Sequence, residues 1–138
     1  MNRATARKSF LLLMTVALVT ACATPAPLPP ARVLQPADAK ILAGEWEGSA
    51  TGTRGTGAYG GPGLSTRVVV KEDGTFTSNM GGVPGVGTWR IVDGKVQYEG
   101  STMRGTGTLY GSGAQEVFKG EGTVTGIVGQ SSIELHRR

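Results

Sequence analysis

Glycine is the residue that most limits what this chain can become. All 23 glycines fall between Gly44 and Gly129. Each glycine in a helix interior costs about 1 kcal/mol relative to alanine, so composition alone argues against a helical domain there. The residues between the glycines are rich in Thr, Val, Tyr and Trp, types that suit a pleated, half-buried surface. Turn signals recur at short intervals: Glu72-Asp73-Gly74, Val92-Asp93-Gly94-Lys95, Gly111-Ser112-Gly113 and Gly120-Glu121-Gly122. Asp-Gly between apolar runs marks a hairpin, because a type I′ turn needs positive φ at both central residues. An all-β antiparallel meander is expected, with strands near 42–51, 66–71, 75–80, 86–92, 95–100, 105–110, 115–119, 122–127 and 131–137. Short consecutive strands without helices favour a single small up-and-down β-barrel of about 8 strands, since closure removes exposed edges.

Alternation assigns the faces. Leu42, Gly44, Trp46 and Gly48 fall on one side of the first strand, with Glu45, Glu47 and Ser49 on the other. Val68 with Val70, Phe76, Trp89 with Ile91, Val96 with Tyr98, and Ile133 with Leu135 continue the apolar side, while Lys71, Lys95, Glu99 and Glu134 face solvent. Few of these core residues are bulky, which predicts a narrow barrel or one filled by a handful of aromatic rings.

Two stretches of the domain resemble each other. Glu47-Gly48-Ser49 recurs as Glu99-Gly100-Ser101, Arg54-Gly55-Thr56-Gly57 as Arg104-Gly105-Thr106-Gly107, and Tyr59-Gly60 as Tyr110-Gly111. Val69, Lys71, Gly74, Thr75 and Thr77 are matched by Val117, Lys119, Gly122, Thr123 and Thr125. A duplication would make two four-strand halves, with Trp46 and Tyr98 on opposite sides. Two glycine-rich runs, Gly52 to Ser65 and Asn79 to Gly87, read as loops at one rim, the first as a lid over the barrel mouth.

Signals for catalysis are weak. Gly55-Thr56-Gly57 and its repeat invite a phosphate-loop reading, but that use requires a following helix N-terminus, and none is predicted. His136 is the only histidine, and Asp73 and Asp93 belong to turns, so no metal site, cofactor or catalytic residue is expected. The reading is of a protein that is not an enzyme.

Ahead of the domain, Asn2 to Ser9 is basic without an acidic residue, and Phe10 to Val19 is nearly all apolar, the two regions of an export signal. A spanning helix needs about 20 apolar residues, so this segment is too short for one. Val19-Thr20-Ala21-Cys22 follows and holds the only cysteine. It resembles the lipobox of bacterial lipoproteins, which implies cleavage before Cys22 and a diacylglycerol on its sulfur. Ala23 rather than aspartate comes next, which in that family implies sorting to the outer membrane, facing the periplasm. The division expected is 1–21 signal peptide, 22–40 lipidated cysteine and proline-rich linker, and 41–138 barrel domain. Five of the seven prolines lie in the linker, which favours a disordered or extended spacer. Arg3, Arg7 and Lys8 would leave with the signal; from Cys22 onward eleven Lys and Arg face ten Asp and Glu, which removes the case for nucleic acid as a partner.

Gly44-Glu45-Trp46 resembles the Gly-x-Trp signature of lipocalin-like barrels, where the tryptophan closes the base. That resemblance implies an arginine of the closing strand over Trp46, in the person of Arg137 or Arg138. The chain is also similar in length and opening to periplasmic inhibitors of secreted metalloproteases. Two functions follow as expectations. The first is a membrane-tethered barrel binding a small apolar ligand, lined by Trp46, Phe76, Trp89 and Tyr98 with Arg54 and Tyr59 on the rim. The alternative is a structural or protein-interaction module of the cell envelope with a solid core.

Overall fold

The computed structural model describes residues 25–52 and 63–138. The elements are strand β1 (Ala31–Arg32), a 3₁₀ turn (Pro36–Asp38), the one-turn helix α1 (Ala39–Leu42), β2 (Gly44–Gly52), β3 (Leu64–Val70), β4 (Thr75–Met80), β5 (Val83–Val92), β6 (Lys95–Gly100), β7 (Met103–Tyr110), a second 3₁₀ turn (Gly113–Gln115), β8 (Val117–Val124) and β9 (Ser131–Arg137). Strands β2 to β9 pair in chain order, each antiparallel to the next, and β9 returns to pair with β2. The result is a closed eight-stranded up-and-down barrel, with β1 added beside the end of β7. We call the end where β2 starts and β9 finishes the base, and the opposite end the mouth.

Local chemistry accounts for the corners. Asp93 and Gly94 have φ of 51° and 76°, the positive pair that a type I′ hairpin between β5 and β6 requires. At the β3–β4 corner Asp73 accepts hydrogen bonds from the Thr75 amide at 2.9 Å and the Thr75 hydroxyl at 2.6 Å. These bonds hold the Asp73 carboxyl below its ordinary range.

Three expectations need correction. First, Asn79 to Gly87 is a hairpin rather than a rim loop: β4 runs to Met80, Gly81 and Gly82 turn with φ of 58° and 90°, and β5 begins at Val83. Second, Gly120-Glu121-Gly122 does not turn. It lies inside β8, which is one strand where two were expected. Its glycines answer to close approach instead. A Cβ at Gly120 would stand 2.6 Å from the Tyr98 hydroxyl, and one at Gly122 would stand 1.9 Å from the carbonyl oxygen of Arg104. Third, the chain packs onto the barrel well before residue 41. β1 pairs Ala31 with Tyr110 and Arg32 with Leu109, the Leu34 amide donates to Gly94 O at 3.1 Å, and Leu34 is 2 % exposed. Leu34, the β1–β7 pairing and the Arg32–Glu116 ion pair seat this arm, so the spacer is shorter than its composition predicted.

The internal repeat corresponds in topology only in part. Glu47-Gly48 of β2 and Glu99-Gly100 of β6 occupy strands four apart in the ring, and Trp46 and Tyr98 do face one another across the interior. Gly74, however, turns between β3 and β4, whereas its match Gly122 is mid-strand in β8. The second set of matches therefore joins residues in unlike places.

The core is a set of aromatic rings laid over inward-facing glycines. Phe76 Cζ lies 2.4 Å from where a Cβ on Gly87 would be and 2.8 Å from one on Gly100. Phe118 Cζ lies 2.1 Å from a Cβ position on Gly107. Tyr98 and Phe118 meet edge to face, their centroids 6.1 Å apart. Glycine on one strand is thus the space into which a ring from another strand fits.

Candidate functional site

Four residues read from the sequence as the lining of a ligand cavity lie around one interior void. Trp46 on β2, Phe76 on β4, Trp89 on β5 and Tyr98 on β6 all wall the same interior void, joined by Met103 and Phe118. Arg54, Tyr59 and Cys22 lie outside the described residues. The walls are wholly apolar apart from the tips of the Trp and Tyr rings, and those tips are occupied elsewhere. Trp46 Nε1 donates to Leu42 O at 2.9 Å. Trp89 Nε1 is shared between Lys71 O at 3.1 Å and Thr75 O at 3.2 Å.

The size of the void decides what it can hold. It measures about 50 Å³, whereas an apolar cavity of about 150 Å³ is the scale that admits benzene. Among the described residues, side chains narrow both ends. Leu34 and Leu42, 2 % and 4 % exposed, close the base. At the mouth the Leu64 side chain reaches to 3.1 Å from a Cβ position on Gly81 and 3.7 Å from one on Gly126, bridging two turns. Ser78 and Thr102 share a buried hydrogen bond of 2.7 Å nearby.

The burial of Tyr98 gives a pH signature. Desolvation, helped by the negative charge of Glu121, pushes its phenol from 10.0 up to about 12. The neutral form is the one the fold favours, so its contribution is complete below pH 10 and is lost as pH rises from 10 to 12, when the unfolded chain has released a proton that the native one keeps. Two pH units correspond to about 3 kcal/mol. Urea unfolding across that window should show this decline, and Tyr98→Phe should flatten it; an equal decline in the variant would refute the assignment.

The base carries a second cluster, of charges. Glu116, 5 % exposed, follows the second 3₁₀ turn. Its Oε1 pairs with Arg32 Nη1 at 3.2 Å, and its Oε2 takes a close hydrogen bond from Arg137 Nε. Arg137 also donates to Ala43 O at 2.9 Å and to Ile41 O, and its guanidinium stands 4.3 Å from the centroid of the Trp46 ring. Arg137, not Arg138, takes the position over the tryptophan; Arg138 pairs outside with Glu47 at 3.2 Å. One carboxylate thereby ties the arm, the closing strand and the base tryptophan into a single unit.

Sequence reasoning did not find Glu116, Phe118 or Leu34. For Phe118 a signal was present: once Gly120 and Gly122 are read as strand, Phe118, Gly120, Gly122 and Val124 alternate on one face. For Glu116 nothing local distinguishes it from the solvated glutamates.

Glu134 meets Lys119 at 3.1 Å and His136 at 3.1 Å, all three partly exposed, and the Lys119 ammonium holds the Glu134 carboxyl below its ordinary range. Among the described residues there is no group of three or more His, Cys, Asp and Glu side chains placed to hold a metal ion. Also among them, no helix is long and apolar enough to cross a membrane. Comparison with known proteins returned nothing: no family model, no curated protein and no solved structure matches this chain.

Proposed function

We propose that this chain is a lipid-anchored envelope protein, held to a membrane through Cys22, whose barrel works as a solid interaction module and not as a carrier. The observation that carries the reading is the small size of the interior void, about 50 Å³. An apolar ligand of ordinary size needs roughly 300 Å³ or more, and opening that space would mean displacing rings already seated on glycines. Function on this reading belongs to the surface. The mouth presents Val83, Val86 and Val128, 48 %, 65 % and 68 % exposed, as apolar contacts for a protein partner.

The small-ligand reading has one observation in its favour, the all-apolar wall that Trp46, Phe76, Trp89 and Tyr98 share. Tryptophan emission separates the two. Both indoles touch the void, so a naphthalene-sized apolar probe that entered would shift or quench them. We expect an unchanged spectrum at saturating probe; a saturable shift would overturn the solid-barrel reading. The anchor is tested by the mass of the protein recovered from the membranes of an expressing bacterium. A chain starting at Cys22 and carrying acyl groups is expected, and Cys22→Ala should abolish the modification. An unacylated wild-type product would refute the anchor.

A further inference from the structure

The arm that precedes the barrel determines how the domain stands on its membrane. We propose that the base faces the bilayer surface and the mouth points away from it, an orientation favoured by the seated arm. This rests on the lipid anchor at Cys22 proposed above.

The argument is one of chain length and attachment. Contact with the barrel begins at Pro29, which packs within 3.1 Å of the Cβ position of Gly111, and Pro30 O accepts from the Gly111 amide at 3.0 Å. From there the arm is held by the β1–β7 pairing, by Arg32 on Glu116, and by Leu34 beneath the β5–β6 turn. Every one of these contacts lies at the base. Seven residue steps separate Cys22 from Pro29, which sets an upper limit of about 25 Å on its reach. Pro25, Pro27 and Pro29 stiffen it. A free linker up to residue 40 would have given the domain a longer tether attached to no particular side; the seated arm shortens the tether and leaves the barrel at the base. The strands raise the mouth by about 20 Å more, from a rise near 3.3 Å per residue and the tilt of a barrel strand.

Two exposed apolar side chains lie on this same side. Leu28 is 48 % exposed next to the first docked proline, and Val33 is 77 % exposed on the arm where it crosses Gly94. Neither covers the barrel core, and both lie at the end of the barrel from which the anchored segment leaves. The partner committed to here is thus the bilayer surface itself.

The test uses the full lipidated protein, purified from membranes and reconstituted into vesicles of phosphatidylethanolamine and phosphatidylglycerol. One donor dye is placed at the base on Ala114→Cys or at the mouth on Val128→Cys, both exposed turn positions, with an acceptor of short transfer distance on the lipid headgroups. Transfer severalfold more efficient from the base than from the mouth is expected. The double variant Arg32→Ser/Leu34→Ser, checked by near-ultraviolet circular dichroism to keep its tertiary fold, should bring the two efficiencies together. Equal transfer from both sites in the otherwise native protein, with the protein still floating with the vesicles, overturns the orientation and leaves the anchor standing. Failure to float at all overturns the anchor, and the orientation with it.

Discussion

Trp46→Ala is expected to lower the unfolding free energy by about 3–5 kcal/mol, the range for truncating a large buried aromatic side chain. Three losses combine at this position. The indole is 2 % exposed, so its whole apolar area returns to water or faces a hole. Its N–H leaves the Leu42 carbonyl at the end of α1. Arg137 loses the ring face beneath its guanidinium. Trp46→Phe keeps most of the ring and should cost clearly less, which separates the packing loss from the polar ones. The truncation also enlarges the void to a benzene-binding scale. Benzene should therefore raise the midpoint of Trp46→Ala and leave the wild-type protein unmoved. A loss below about 1 kcal/mol in urea unfolding would mean that the base is not packed as described.

Glu116→Gln is the second change expected to be costly. The substitution keeps the shape and removes the charge that Arg32 and Arg137 share. Removing one member of a buried ion pair costs about 3–5 kcal/mol when its partner stays charged in the interior. Here the arginine side chains are 33 % and 23 % exposed against 6 % for Glu116, so water takes up part of the loss and about 2–3 kcal/mol is expected. Partial burial also makes the effect resistant to salt, and unfolding curves at low and high ionic strength should show nearly the same difference. A strongly salt-dependent difference would place Glu116 at the surface. The arm should respond in step: Glu116→Gln is expected to speed proteolysis near residue 30 ahead of the barrel itself.

The barrel was legible in the sequence because its signals are local. Asp93-Gly94 demands a tight hairpin by its own backbone chemistry, and alternation placed Trp46, Phe76, Trp89 and Tyr98 on one face without knowledge of what they would meet. What was hidden depended on partners distant in the chain. Gly120 and Gly122 have the composition of a turn, and only the arrival of Tyr98 and the Arg104 carbonyl from other strands makes them strand residues. Leu34 lies among prolines that predict a spacer, and its burial comes from the β5–β6 turn 60 residues later. Glu116 is an ordinary glutamate until Arg32 and Arg137 reach it. The same reasoning covers the interior: the list of wall residues was readable, but the volume left between them was not, since it depends on how deeply rings sink into glycines of neighbouring strands.

Closure of the ring has a consequence for how the protein is made. The seam that turns a sheet into a barrel joins Trp46 to Arg137 and Gly52 to Ser131, so the first barrel strand has no permanent second neighbour until β9 is available. Folding through contacts so far apart in the chain is slow, because the loop must close before the contact rewards it. A polypeptide that emerges from its N-terminal end, from a ribosome or through a membrane pore, therefore exposes one raw edge of β2 for the whole time the rest is delivered. During that interval an unclosed ribbon of seven strands is open to strand exchange with its neighbours, and a chaperone that shields the β2 edge would matter more to the yield of this protein than one that shields its core.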